Sequence, residues 1–236
     1  MALGTTLSGS GAISTTGGIH ALAFNGDGVA AANEWQDNQD IFYVCLMSYN
    51  DYSNVAPVQD GDHTQIYLRY TEYSGTGSDP RLSLVNIDSS LVTVYARTSG
   101  NDDDATLANV TTDGSVSWDT IRGDADTTGT NRNATATQNY FGIFTTKFTG
   151  RGADVITDNR RSYFAFDGSV LNPAKTIASC KIEFYADNYG HTNDDFGKII
   201  AVQATTLAGS TADYGNCFVA DAVTVTDNAT FFGANF

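Results

Sequence analysis

The stretch Ala178-Ser-Cys-Lys-Ile-Glu-Phe-Tyr185 decides the fold of this chain. Ala178, Cys180, Ile182 and Phe184 alternate with Ser179, Lys181, Glu183 and Tyr185, and side chains on a β-strand point to opposite faces with a period of two. The pattern predicts one face in the core and one in water. A slip of one residue would bury Lys181 and Glu183 and expose the apolar set, so the register is strongly specified. Phe164, Phe166, Cys180, Ile182 and Phe184 are expected in one buried cluster, with Lys181 and Glu183 exposed.

The same alternation recurs outward from it. Gln65 to Tyr70 places Ile66, Leu68 and Tyr70 inward. Leu91 to Ala96 sets Leu91, Thr93 and Tyr95 against Val92, Val94 and Ala96, and Ala222 to Thr226 also alternates. Ile41 to Met47 and Lys198 to Val202 are continuously apolar, as strands covered on both faces are, and both are expected to be central. No window keeps an apolar stripe at helical spacing, while Gly, Thr, Asn and Asp interrupt the chain roughly every 8 to 12 residues. Asn25-Gly26-Asp27-Gly28, Asp60-Gly61, Asp79-Pro80, Asp113-Gly114 and Asp167-Gly168 carry turn chemistry. These features predict an all-β protein, an antiparallel β-sandwich of jelly-roll-like form, as one large or two small sandwiches with an extended N-terminal arm.

Residues 1–18 are built of Gly, Ser, Thr and small apolar residues, the composition of an arm that orders by lying on a neighbouring subunit or lattice. Residues 19–137 form a first β-rich region. It ends in an Asp/Thr/Asn-rich seam from Ser99 to Thr137, with one apolar island at Val116, Trp118 and Ile121. Residues 138–236 form the second, jelly-roll-like region. No period repeats along the chain, which argues against a solenoid or propeller.

Charge narrows the partners. The 27 acidic and 12 basic residues give a net charge of −15, which opposes the counterion release that drives nucleic-acid binding and disfavours anionic membrane surfaces. Neither nucleic acid nor membrane is expected as a partner. The first residues lack the cationic and apolar blocks of a secretory signal, so synthesis in a host cytoplasm is expected. Cys45, Cys180 and Cys217 are widely spaced with no CxxC pair and read as buried thiols.

Catalysis would need a nucleophile with its base, an unequal carboxylate pair or a metal cage. His20, His63 and His191 show no HxH or HExxH spacing, and no GxSxG elbow occurs. No enzyme is expected. Asn101-Asp-Asp-Asp104, Asp124-Ala-Asp126 and Asn193-Asp-Asp195 offer hard oxygen donors of the kind calcium takes, but without EF-hand spacing they read as solvated turn acids. No cofactor is expected. Tyr49, Tyr52, Tyr70, Tyr73, Tyr189 and Tyr214 sit near loops and are candidates for stacking on a sugar or anchoring a protein interface. The sequons at Asn109, Asn133 and Asn228 are chance matches in an Asn- and Thr-rich chain.

Asn159-Arg-Arg-Ser-Tyr-Phe-Ala-Phe-Asp167, followed by Thr176-Ile-Ala-Ser-Cys-Lys-Ile-Glu-Phe-Tyr185, resembles disaggregatase-related carbohydrate-binding jelly rolls. There an R-x-Y-x-x-F-D strand precedes an I-x-x-A-x-L-x-L-Y strand. The resemblance implies a jelly-roll sandwich in which Phe164 and Phe166 enter the core and the chain turns at Asp167. In texture the chain is similar to structural proteins of environmental phages, being acidic, unsignalled, rich in Gly, Thr, Asn and Ala and poor in Lys. That resemblance implies a non-enzymatic virion component, either capsid decoration or cement, or a tail or fibre subunit. Its partners would be a major capsid protein or tail components and other copies of itself as a homo-oligomer. The alternative is a carbohydrate-binding module or receptor-binding tip with a glycan partner. A tailed-phage major capsid protein needs a long spine helix that no segment here predicts.

Overall fold

A computed structural model describes residues 18–61, 64–69, 76–97, 104–123, 127–133, 142–152, 154–191, 199–204 and 210–217. The strands are β1 (Gly18–Ala23), β2 (Ile41–Ser48), β3 (Thr64–Leu68), β4 (Arg81–Asn86), β5 (Leu91–Tyr95) and β6 (Asp104–Thr111). They continue with β7 (Asn131–Asn133), β8 (Gly142–Thr149), β9 (Val155–Asp167), β10 (Ile177–His191) and β11 (Ile199–Ala204). Helices α1 (Gly26–Asn38), α2 (Tyr49–Tyr52) and α3 (Trp118–Arg122) are joined by single 3-10 turns, among them Thr211–Gly215.

All pairing between strands is antiparallel, in the order β11-β2-β9-β8-β3-β10-β4-β5, with β1 on β10 and β6 on β9. The chain is the all-β sandwich that the period-two pattern predicts. One core lies between the two layers, drawing Leu22, Leu82, Val94, Ile182 and Phe184 from one side and Phe42, Val44, Leu46, Phe164 and Phe166 from the other. The expected cluster of Phe164, Phe166, Cys180, Ile182 and Phe184 is therefore present. Long strands tie the layers together, because β10 pairs with β4 through residues 177–183 and with β3 through residues 186–191. Ala96 bridges to Phe166 and Arg97 N–H donates to Ala165 O at 2.9 Å, so the end of β5 meets β9.

A second core covers the opposite face of β2 and β9, where Cys45, Met47, Ala105, Leu107, Tyr163, Val202, Tyr214 and Cys217 gather. Burial on both faces is why Ile41–Met47 reads as a continuous apolar run. β6 falls inside the expected seam and pairs with β9 from Asp104↔Phe164 to Thr111↔Thr157, so strands on both sides of residue 137 share one ladder network. β2 is central, flanked by β11 and β9. β11 is a correction, since it pairs only with β2 among the described residues although it is buried. Of the arm expected at residues 1–18, Gly18 opens β1 and residues 1–17 lie outside the described residues, as does the strand expected at Ala222–Thr226.

Three further expectations need correcting. Asn25-Gly-Asp-Gly28 is not a strand turn but a helix start: Asn25 Oδ1 accepts from Gly28 N–H at 2.8 Å and caps α1. The helix is held on the sheet by amide groups. Asn33 donates to Ile177 O at 3.0 Å and accepts from Ile177 N–H at 2.8 Å, while Gln36 donates to Lys175 O at 2.7 Å. In β10 the ladder shifts between Ile177 and Ser179, so Ile177 is buried and Ala178 is exposed. A bulge sets two residues against one and restores the predicted parity only from Cys180 onward. Glu183 is only 13% exposed, because Arg81 and Lys181 draw its carboxylate onto the sheet at 3.0 and 2.9 Å.

Candidate functional site

Two features carry the functional question, a buried arginine cluster and an open sheet face. Of the six candidate tyrosines, Tyr70 and Tyr73 lie outside the described residues. Tyr189 stands on β10 opposite Ile66, and its side chain is likewise outside them. Tyr49 opens α2, half-buried, with its ring centroid 5.9 Å from that of Tyr52. Tyr52 and Tyr214 are buried, so neither offers the exposed platform expected of it. Of the acidic loops, Asp104 is buried at the start of β6 and the other acids lie outside the described residues. Among the described residues no group of three or more His, Cys, Asp or Glu side chains is placed to hold a metal ion.

Tyr214 belongs instead to the arginine cluster. Arg161, on the β9 face that Tyr163 shares, is fully buried. It donates from Nε to Asp51 Oδ2 at 2.6 Å and from Nη2 to Asp51 Oδ1 at 2.8 Å, a bidentate fork on a carboxylate that is also fully buried. Two further donors reach Arg122 O at 2.7 Å and Tyr214 O at 2.8 Å, and its guanidinium lies 4.1 Å from the Tyr214 ring centroid. Arg122 in turn donates to Asp51 O at 2.5 Å and to Tyr52 O at 3.1 Å. Burial works against the Arg161 charge, but the Asp51 carboxylate outweighs it and holds the pKa well above the ordinary arginine value. Two guanidinium groups thus share one carboxylate, and four backbone carbonyls absorb the surplus positive charge.

A second chain of polar groups runs beside the first. Ser48 Oγ lies 2.5 Å from Thr145 Oγ1, Thr145 donates to Asn159 Oδ1 at 2.9 Å, and Asn159 Nδ2 donates to the Tyr214 hydroxyl at 2.7 Å. Tyr214 passes the chain on to Ile121 O at 3.1 Å, and Tyr163 donates to Tyr214 O at 2.8 Å. These bonds fasten α2, α3 and the 211–215 turn, each five residues or fewer and too short to be stable alone, onto β9. The nearby cleft among Ala56, Pro57, Val116, Trp118, Ile121, Lys147 and Thr157 measures about 20 Å³, room for a single water. The bonds named here tie the cluster's side chains to one another and to the backbone.

Cys45 and Cys217 meet in this core. Burial raises the Cys45 thiol well above its ordinary value. Burial also opposes ionisation of Cys217, but a hydrogen bond with Cys45 and the Arg161 charge together pull its pKa down. All three cysteines are free and buried, as the sequence predicts. In the folded protein no thiol is expected to react with Ellman's reagent, and all three should react in denaturant. Rapid native labelling of one thiol would show that the 210–217 segment opens.

The open face belongs to β1, β10, β4 and β5. Its cross-strand rungs run Ala21–Glu183–Arg81–Tyr95 and Ala23–Lys181–Ser83–Thr93, bordered by Ile19–Tyr185 at one end and Val85–Leu91 at the other. Ile19, Leu91 and Tyr95 are 50%, 68% and 45% exposed. The Arg69 guanidinium sits 3.9 Å from the Tyr185 ring centroid. Partial burial would raise the Glu183 carboxyl, but hydrogen bonds from Ser83, Lys181 and Arg81 outweigh it and lower its pKa to about 2. That lies below the roughly 4.3 of an unfolded glutamate, so its stabilisation is complete above that pH and lost as pH falls toward the folded value. The difference in melting temperature between wild type and Glu183→Gln is expected to hold from neutral pH down to about 5 and to shrink as pH falls further toward the folded value. A difference that stays constant into strong acid would show that the charge contributes nothing.

No family model, curated protein or solved structure matches this chain.

Proposed function

We propose that this protein is a non-enzymatic assembly component of a virion, a capsid decoration or cement protein or a tail or fibre subunit. The observation that carries the reading is the open face of β1, β10, β4 and β5, a sheet surface with exposed apolar residues on an otherwise acidic sandwich. Exposed apolar side chains on a sheet face are stabilised when a partner covers them. The buried polar groups support the same reading, because Asp51, Arg122, Arg161, Asn159 and Tyr214 spend their hydrogen bonds on one another and on the backbone. A virion component must hold its shape rather than turn over a substrate, and a saturated buried network serves rigidity.

The charge-free arm at residues 1–17 supplies the second contact in this reading. Deleting it is expected to abolish co-sedimentation with virion particles that lack the protein, while the melting transition of the sandwich stays in place. Undiminished co-sedimentation by the shortened chain would sink the proposal. The alternative of a glycan-binding module draws on Tyr95 and Tyr185 beside Arg81, Glu183 and Arg69, an aromatic and polar mixture suited to a pyranose ring. Selective binding on a glycan array, lost on Tyr95→Ala, would favour it.

A further inference from the structure

We infer that Cys45 and Cys217 are the site of an oxidative cross-link, two thiols placed to close into a disulfide that fastens the 210–217 segment to β2. Cys45 stands in the middle of β2, on rungs with Tyr163 of β9 and Val202 of β11. Cys217 lies just past the 211–215 turn. The fold brings these distant positions into one core, where both are fully buried and their sulfurs are hydrogen-bonded to each other. Cys180, the third free thiol, belongs to the other core and has no such partner role.

The two thiols are chemically unequal. A disulfide forms when one sulfur is oxidised as a thiolate and a neighbouring thiol then displaces the leaving group. The Cys45 S–H donates to the Cys217 sulfur and keeps its proton, while the buried Arg161 guanidinium favours the Cys217 thiolate. At Cys180 burial acts alone and pushes the thiol up. With hydrogen peroxide as oxidant, the Cys217 sulfur attacks one oxygen, the O–O bond breaks, and hydroxide leaves a sulfenic acid on Cys217. The proton that Cys217 shed on ionising converts the hydroxide to water. The Cys45 sulfur then attacks the Cys217 sulfur, the S–O bond breaks, and the hydroxyl departs with the Cys45 proton as a second water. Each sulfur gives up one electron and the peroxide takes both.

Access comes from the segment rather than from the sheet. Tyr214 anchors the 210–217 segment, its carbonyl accepting from Arg161 and Tyr163 and its hydroxyl from Asn159. A local opening that releases these bonds exposes Cys217 while Cys45 stays on β2, and reclosure returns the sulfurs to contact. In a reducing medium the pair remains two thiols; in an oxidising one it closes and holds the segment shut. The chemistry is the same whatever the chain assembles with.

Treating the reduced full chain with hydrogen peroxide at low micromolar protein concentration, then unfolding and alkylating it, tests this. Alkylatable thiols are expected to fall from three to one, and a non-reducing digest should contain a peptide joining Cys45 to Cys217. The melting temperature should rise by about 5–15 °C, because the bond closes a long loop in the unfolded chain, and should fall back on addition of dithiothreitol. Cys180→Ala should still form the bond. Cys45→Ala should show neither linked peptide nor rise, and dimedone should trap the sulfenic acid left on its Cys217. Three thiols retained, a bond that involves Cys180, sulfinic acid on Cys217 with no bond, or a linked form that melts no higher than the reduced one would each overturn the inference. If Cys45→Ala does not fold, the thiol count, peptide map and melting temperature of the wild-type chain decide it.

Discussion

Arg161→Met is expected to destabilise the fold by about 3–5 kcal/mol, the cost of breaking a buried ion pair from one side. The methionine fills much of the volume but leaves Asp51 charged and fully buried, with Arg122 at 3.7 Å as its remaining cation among the described residues. It also strips the Arg161 donor from Arg122 O, and a buried acceptor left unsatisfied adds about 1–3 kcal/mol before relaxation, while Tyr214 O keeps its bond from the Tyr163 hydroxyl. In a domain of this size 1 kcal/mol moves the melting temperature by about 2–4 °C, so the shift should be plain in a thermal melt. The paired variant Arg161→Met with Asp51→Leu should lose less than the sum of the single changes, because it removes both charges together. Urea unfolding of the four proteins supplies the cycle. A loss below about 1 kcal/mol for Arg161→Met would mean that water or another cation reaches Asp51, and the account of this cluster as a sealed network would fail.

What could be read from the sequence follows from how far apart the interacting residues lie. The strand alternation at Ile66 and Leu68 and at Cys180, Ile182 and Phe184 is local, and it marks the core face correctly in both cases; at Leu91–Ala96 it gave the two faces, and the structure puts Val94 and Ala96 inward. Helix α1 escaped because its buried positions are Gly28, Ala32, Trp35 and Gln36, a helical stripe by spacing but with only one large apolar side chain. Its docking depends on amides, Asn33 and Gln36, whose partners are more than 130 residues away. The capping signal at Asn25 was visible, yet the same residues also build turns. The arginine cluster was hidden for a related reason. Arg161 and Asp51 are 110 residues apart and Arg161 and Tyr214 are 53 apart, and nothing local tells a buried arginine from a surface one. Tyr52 and Tyr214 were misplaced because loop tyrosines were read as exposed, whereas here the loops themselves form a layer over β2 and β9.

Phe184→Ala is expected to cost about 3–5 kcal/mol, from lost transfer free energy and the cavity left in the core. Phe184 is 1% exposed and sits among Leu22, Leu82, Phe164, Phe166 and Ile182. Its strand is flanked by β1 through His20↔Phe184 and by β4 through the adjacent rung Glu183↔Arg81, so the backbone has little freedom to collapse into the void. Ala23 and Ser83 border the neighbouring Lys181 on the outer face, where its side chain is 47% exposed and pairs with Glu183. Lys181→Ala is therefore expected to change stability by no more than about 0.5 kcal/mol, as exposed substitutions usually do. The two residues stand three apart on one strand with opposite parity, so the contrast reads the register of β10 directly. If the bulge at Ala178 lay beyond Lys181, the inward set would invert and Lys181→Ala would become the costly change. Equal melting temperatures for the two variants would require abandoning the register, and with it the sandwich packing of this half of the chain.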